Sequence, residues 1–416
     1  MSETIDEEPV IELPPAVLKA PIVLVDNASD FRRALDDLNQ ANGPLALDAE
    51  RASGFRYSQR AYLVQAYREG SANYLFDPVG LSDLSDLTAE LGDVEWILHA
   101  AHQDLACLRE VGVEPRNLFD TELGARLAGL PRVGLQGVVE DVLGLGLAKE
   151  HSAADWSTRP LPEQWLSYAA LDVELLPQVR DQIHRILLES NKLDIAREEF
   201  AAQLNLPGPT PRAEPWRRLS GLHQVRGARA LAIARELWLA REDYAKEVDT
   251  SPGRLVPDRS LVAAVLANPT SKGALAGIKA FHGRASRSQL DRWWNALERG
   301  RTVEDLPAAR VPAEGPPPPR IWSDKNPEAH ARFQAAKEAL AKVAEEHNIP
   351  AENLLTPDYL RRVCWEPPAD TSPETLASFL HDKGARQWQI HLVAEALSQA
   401  FVEARQKTPD TSAPLS

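Results

Sequence analysis

Two proline-rich interruptions impose the strongest constraint on how this chain can fold. One is the run LPGPTP at residues 206–211, and the other ends in four consecutive prolines at residues 316–319. Proline lacks a backbone N–H and clashes with the preceding helical turn, so neither segment can continue a helix. The chain of 416 residues also exceeds what one hydrophobic core serves, roughly 250–300 residues. These features predict three folded parts joined by two short connections.

Hydrophobic periodicity differs between the predicted parts. Residues 22–130 alternate short apolar runs with helical patterns, which is typical of an α/β domain with a mixed sheet. A single helical stretch is expected at about 162–188, and the segments after residue 211 show helical periodicity alone. The expected division is a disordered N-terminus at 1–20, an α/β domain at 21–207, helical domains at 212–300 and 321–405, a proline-rich linker at 301–320 and a disordered tail at 406–416.

Charge is distributed unevenly along the chain. The net charge is −15, yet residues 211–300 contain 16 Lys and Arg against 9 Asp and Glu, a net of +7. This favours a phosphate-bearing partner for that segment, although charge also fluctuates along a chain by chance. The acidic start, the lack of an apolar run near the ~20 residues of a membrane span, and the wide separation of Cys107 and Cys364 predict a cytoplasmic protein without a membrane span, disulfide framework or zinc site.

Four acidic side chains and one tyrosine are candidates for chemistry. Asp48 and Glu50 lie two apart on an apolar strand, so both carboxylates project from the same face. Their repulsion would be offset by a bound cation, although solvated acids at a strand end would give the same pattern. Asp104 follows a strand at the start of a helix, where capping is an equal explanation. Tyr168 and Asp172 are one helical turn apart and share a face.

In order and spacing, Asp48-Ala49-Glu50, Asp104 and the run from Tyr168 to Asp172 resemble the motifs of the Asp-Glu-Asp-Asp 3′→5′ exonucleases, in their tyrosine-containing branch. Residues 119–121 and 152–161 look like the intervening stretches of ribonuclease D, and the resemblance covers roughly residues 21–190. It implies a ribonuclease H-like fold in which the four carboxylates hold two divalent ions, Mg²⁺ or Mn²⁺, and the tyrosine orients the attacking water.

The helical segments carry a second resemblance. Residues 212–300 resemble the helicase-and-ribonuclease-D C-terminal (HRDC) domain, which implies weak nucleic-acid binding, and residues 321–405 resemble it less closely. An offset of exactly one hundred links Leu255, Pro257, Asp258 and Leu297 to Leu355, Pro357, Asp358 and Leu397, which favours a duplication. The candidate nucleic-acid contacts are Arg159, Arg217, Arg218, Arg226 and Arg229. Because residues 321–405 are acidic, spacing, clamping or packing onto the nuclease are alternative roles for them.

The resemblance implies an enzyme that trims RNA from the 3′ end and releases 5′-mononucleotides. Transfer-RNA precursors are the expected substrate class, RNA is the expected partner, and no obligate protein partner is expected. Two alternatives stay open, a 3′→5′ DNA exonuclease and a catalytically silent RNA-binding adaptor. The candidate active-site residues do not by themselves separate RNA from DNA.

Overall fold

The computed structural model describes residues 13–147, 153–206, 208, 212–311 and 315–407. The strands are β1 Ile22–Val25, β2 Asn42–Arg51, β3 Ala61–Glu69, β4 Asn73–Phe76, β5 Trp96–Leu98 and β6 Leu118–Asp120. The helices are α1 Ala28–Gln40, α2 Ser85–Leu91, α3 Leu105–Glu110, α4 Thr121–Ala128, α5 Leu135–Leu143, α6 Glu163–Glu174, α7 Leu176–Glu189, α8 Leu193–Leu204, α9 Ala228–Glu247, α10 Pro252–Leu255, α11 Asp258–Ala267, α12 Lys272–Ala276, α13 Arg284–Ser288, α14 Leu290–Thr302, α15 Trp322–Lys325, α16 Pro327–His347, α17 Ala351–Leu354, α18 Pro357–Trp365, α19 Pro373–Asp382 and α20 Gln387–Lys407.

One six-stranded mixed sheet organises the N-terminal domain, in the order β1-β4-β3-β2-β5-β6. Strands β2, β3 and β4 form an antiparallel meander, while β1 and the pair β5 and β6 join its two sides in parallel. The central strand β3 is buried along nearly its whole length. The predicted α/β domain with a mixed sheet, followed by helical domains, is confirmed.

The predicted disorder of residues 1–20 is wrong for residues 13–20. Ala16 N–H donates to the carbonyl of Gly146 at 2.9 Å, and Lys19 N–H donates to a carboxylate oxygen of Glu174 at 2.7 Å. These bonds hold the segment along α5 and α6 despite its lack of periodicity. Residues 1–12 and 408–416 lie outside the described part of the chain, and α20 runs to Lys407, two residues into the predicted tail.

The helix expected at about 162–188 is two helices, α6 and α7, that meet at Leu175. Pro177 causes the break, because it stands in the first turn of α7, where its missing N–H is tolerated but a continuous helix is not. The break redirects the chain just after Asp172. Within the described residues, every helix is too short or too polar to cross a bilayer.

Helices α9 to α14 form a helical domain with its own core, in which α9 and α14 pack along most of their lengths. The following helices repeat its order: α9, α10, α11 and α14 correspond to α16, α17, α18 and α20, each starting 97–99 residues later. This correspondence supports the inferred duplication.

The last helical part packs onto the α/β domain. Side chains of α4, α5, α7 and α8 share one continuous hydrophobic core with those of α16 to α20, including Phe200, Leu340 and Phe401. Trp388 Nε1 donates to a carboxylate oxygen of Glu199 at 2.9 Å within this contact. Of the three roles left open for this acidic segment, the structure favours packing onto the α/β domain.

Candidate active site

Strand β2 presents Asp48 and Glu50 on the sheet face that α6 covers. Leu47 enters the core on the opposite face, beneath α1 and α3, whereas Ala46 packs against Val173 of α6. Because successive strand side chains alternate between faces, Asp48 and Glu50 follow Ala46 toward α6. The strand pattern therefore places two acids beneath a helix rather than at a solvated edge.

Helix α6 brings the third carboxylate and the tyrosine to the same place. Asp48, Glu50 and Asp172 each offer an oxygen, and these oxygens all lie within 4.8 Å of one another. The Tyr168 hydroxyl hydrogen-bonds to the Asp172 carboxylate one turn away. The rings of Trp156 and Tyr168 have centroids 6.4 Å apart, so the buried indole supports the phenol from behind.

Asp104 reaches the site on a tight turn after β5. Ala100 adopts a left-handed conformation with φ of 59°, and its N–H donates to Asp120 Oδ1 at 3.0 Å. Ala101 N–H donates to Asp120 Oδ2 at 2.9 Å. Asp120 also caps α4 through the N–H groups of Glu122 and Leu123, so it fixes the turn that carries Asp104 and is not one of the clustered acids.

Burial dominates the electrostatics of the four carboxyl groups. It raises the pKa of Asp48 and raises the pKa of Glu50 to about 10, with the Asp48 charge as the next contribution to the latter. Burial and the charge of Asp48 also raise the pKa values of Asp104 and Asp172 to about 8. Four acids that resist ionisation together form a site whose negative charge a cation would neutralise.

The donor set fits a hard divalent cation. Each of the four acids offers only oxygen, which suits ions of the Mg²⁺, Mn²⁺ and Ca²⁺ type better than zinc. Nearby His99 does not join them, because its Nδ1 lies 2.9 Å from Thr121 Oγ1 and burial lowers the pKa of the ring. The residues present therefore fit the divalent ions that the sequence motifs imply.

Two further side chains at this site escaped sequence reasoning. The pairing of β2 with β3 shifts register between Glu50 and Arg51, and Arg51 Nη2 lies 3.5 Å from Asp104 Oδ1. Gln65, fully buried, pairs across from Asp48, and its side-chain O and N have no partner among the described residues.

Arg159, a predicted nucleic-acid contact, donates hydrogen bonds to other residues of the protein. Its Nε and Nη2 donate to the two carboxylate oxygens of Asp77 at 2.7 Å each, and it also donates to the carbonyls of Tyr62, Trp156 and Thr158. The guanidinium thus ties the segment before α6 to the sheet. These bonds give Arg159 a positioning role in the segment before α6, and its contact with nucleic acid stays a prediction.

The four arginines predicted on the HRDC-like domain divide into two pairs. Arg217 donates to Glu214 and to the Ala308 carbonyl, and Arg229 donates to the Val303 carbonyl, so both brace their own domain. Arg218 and Arg226 are exposed. Within the described residues neither forms an ion pair, and a nucleic-acid role for these two stays a prediction.

Three family models match the chain. Residues 22–188 match a 3′-5′ exonuclease domain, residues 230–297 match the HRDC domain, and residues 315–401 match a 3′ to 5′ exonuclease C-terminal domain. A ribonuclease D of Gluconacetobacter diazotrophicus is 31% identical over 69% of this chain and 72% of its own length. The chain belongs to the ribonuclease D family. With its exonuclease domain, it is a 3′→5′ exoribonuclease.

Two further proteins are similar to nearly the whole chain. Ribonuclease D of Escherichia coli is 28% identical over 90% of this chain and 97% of its own length. Its crystal structure superposes with a TM-score of 0.66 at 26% identity, covering 92% and 99% of the two chains. A protein from Bifidobacterium adolescentis superposes with a TM-score of 0.84 at 36% identity, covering 92% and 100%. The expected ribonuclease D-type fold class is confirmed.

Proposed function

We propose that this ribonuclease D-family chain hydrolyses RNA from the 3′ end with two divalent ions, Mg²⁺ or Mn²⁺, and releases 5′-mononucleotides. The observation that carries the proposal is the convergence of four carboxyl groups, two of them buried (Asp104 and Asp172) and two half-buried (Asp48 and Glu50); oxygens of Asp48, Glu50 and Asp172 lie within 4.8 Å of one another. When bound, such ions supply an activated water and stabilise the charge on the leaving 3′-oxygen.

Asp48, Glu50, Asp104 and Asp172 would hold the ions, and each must lose its proton to do so. Their raised pKa values mean that ion binding and proton release are coupled at neutral pH. Tyr168 would orient the attacking water through its hydroxyl. Burial and the neighbouring Asp172 raise the pKa of this phenol, so it stays protonated and acts as a hydrogen-bond donor rather than as a base.

Structured RNA with a 3′ extension is the proposed substrate class, with transfer-RNA precursors as its leading member. The E. coli relative is described as an exoribonuclease involved in structured RNA processing. The basic helical domain of the present chain supports the same class. We further propose that the enzyme acts in the cytoplasm and needs no protein partner; its two cysteines, which are both free thiols, support the former.

The decisive experiment compares a 3′-extended transfer RNA with a DNA strand of the same sequence, in Mg²⁺ or Mn²⁺ and in EDTA. We expect stepwise shortening of the RNA to mononucleotides, and its loss in EDTA and in Asp48→Asn. Asp194→Asn, a substitution of an exposed acid on α8, serves as the matched control and keeps full activity. Faster cleavage of DNA would support the alternative nuclease, and binding without cleavage would support the adaptor.

A further inference from the structure

Several arginines of the HRDC-like domain are paired with acids. Examples are the pairs of Arg235 with Asp305, Arg241 with Asp258, Arg292 with Glu247 and Arg299 with Glu236. Arg259 and Arg284, like Arg218 and Arg226, are exposed and have no ion-pair partner within residues 212–311. Unpaired exposed arginines keep their full set of donors for a ligand.

Arg259 and Arg284 line one groove of about 580 Å³ at the C-terminal end of α9. Arg254 and His282 complete its basic lining, and Tyr244 contributes an aromatic wall. No carboxylate of the described residues lines it. Another hollow on the same domain, of about 630 Å³, instead mixes Glu236 and Asp243 with Arg292 and Arg299.

A groove without acids is unusual on this protein, which carries a net charge of −15. Three guanidinium groups line this one groove, and a row of phosphates would neutralise their like charges while releasing counterions. The lining therefore fits a polyanion rather than a neutral or cationic ligand.

The groove lies at the end of the domain that touches the nuclease. Asp249 follows α9 directly and accepts hydrogen bonds from the N–H groups of Tyr57 and Ser58 and from the Tyr62 hydroxyl. Arg254 Nε donates to the Gly54 carbonyl at 2.7 Å. Its guanidinium also stacks over the Phe55 ring at 3.9 Å, so a groove arginine contacts the nuclease itself.

The contacted segment, residues 52–60, joins β2 to β3 and starts two residues after Glu50. The groove thus opens beside the loop that leads out of the active site. Arg226 and Arg229 stand at the opposite end of α9, a helix of 20 residues. At about 1.5 Å per residue, they are roughly 30 Å from the groove along this axis.

We propose that this groove, with Arg254, Arg259 and Arg284, binds the sugar–phosphate backbone of the RNA strand on its way into the nuclease. The proposal rests on the proposed function, since it assigns the part of the same substrate that lies upstream of the 3′ end. It also replaces the arginines near the start of α9 as the principal RNA contacts of the domain.

The test measures binding of a labelled 16-nucleotide single-stranded RNA in EDTA, where no hydrolysis occurs. The test variant of the full-length protein is Arg259→Glu/Arg284→Glu. The matched control is Arg212→Glu/Arg310→Glu, which makes the same charge change at two exposed arginines that do not line the groove. We expect the groove variant to raise Kd at least tenfold and the control to change it less than twofold. Loss of two phosphate contacts should also reduce the log–log salt slope by about 1.4.

A second measurement follows hydrolysis in Mn²⁺. The groove variant should slow degradation of the long RNA at least tenfold, yet leave a trinucleotide, too short to reach the groove, within twofold of wild type. Equal weakening by both variants, or by neither, would overturn the proposal. If the Glu variant melts early, Arg259→Gln/Arg284→Gln replaces it and must still raise Kd at least threefold.

The two proposals fail in different ways. A wild-type protein that binds RNA through the groove but cleaves nothing would remove the proposed reaction and keep the groove. A protein that trims RNA with the same Kd in both variants would keep the reaction and remove the groove.

Discussion

Loss of solvation raises the pKa of each of the four carboxyl groups, because it disfavours the charged form. Glu50 has its pKa raised to about 10 by burial, and then by the charges of Asp48, Asp172 and Asp104. A folded-state pKa above the unfolded value means that the folded protein binds the extra proton between those two pKa values. The metal-free protein therefore loses stability as pH rises from about 4.5 toward 10, which is the opposite of a salt-bridged acid.

The first prediction follows for Glu50→Gln. We expect the metal-free variant to melt several degrees above wild type at pH 8. A stability difference of about 1 kcal/mol shifts Tm by roughly 2–4 °C in proteins of about 150–250 residues. At pH 4 the two should melt together, because wild-type Glu50 is then protonated. Differential scanning calorimetry in EDTA at both pH values measures this. A variant that is less stable at pH 8 would contradict the assigned electrostatics.

The second prediction concerns the tyrosine hydroxyl. Tyr168→Phe should lower kcat about tenfold or more, because the attacking water loses its orienting donor, while KM stays within twofold. The pH profile of the residual activity should keep its shape, since the phenol remains protonated throughout. Steady-state kinetics of RNA trimming between pH 6 and 9 check this, and unchanged kcat would exclude a role for the hydroxyl.

At the scale of helices, the HRDC-like domain depends on the close approach of α9 and α14. A Cβ at Gly300 would lie 2.5 Å from the Ile233 Cα and 2.9 Å from its backbone nitrogen. Backbone atoms cannot yield as a flexible side chain would, so the two helices must separate to accept even an alanine.

The third prediction is that Gly300→Ala destabilises this domain by about 1–3 kcal/mol. Gly273→Ala is the control, because only Ser271 Oγ lies within 4 Å of the added Cβ and the backbone is helical; it should be neutral or slightly stabilising. Hydrogen exchange of peptides from α9 and α14 reports the change. Equal protection in the two variants would show that the helices have room to adjust.

At the scale of the whole molecule, the last helical part shares one hydrophobic core with the nuclease domain, while the HRDC-like domain has a separate core. Lys192 Nζ donates to the carbonyls of Leu127 and Asn348, and so crosses between the two parts. Trp388 is buried in the same contact. A shared core predicts that the nuclease and the last helical part unfold together.

The fourth prediction tests this with Trp388→Ala. We expect loss of about 3–5 kcal/mol of stability, with faster hydrogen exchange in both the nuclease and the last helical part. Trp294→Ala, at a half-buried tryptophan of the HRDC-like domain, is the matched control and should loosen that domain alone. Loss of protection confined to helices α16 to α20 would mean that the two parts fold independently.

Local periodicity alone determined the alternation of strands and helices, and the five candidate site residues were singled out by their spacing together with their resemblance to the exonuclease motifs. Two acids at i and i+2 share a strand face, and a tyrosine and an aspartate four apart share a helix face, whatever else the chain does. The proline segments likewise marked where helices must end. Matching motifs to a family added the expected chemistry, and the comparisons confirmed the family.

The tertiary structure alone decided which charged side chains face the nuclease. Arg51 lies beside Asp104, Arg159 is held by Asp77, 82 residues away in sequence, and Arg254 of the groove contacts the loop after β2. Arginines that contact the protein and arginines that are exposed occur in similar local sequence, so the sequence around them does not distinguish the two kinds. Their roles depend on contacts between distant segments, which packing of the domains creates and which no short spacing encodes.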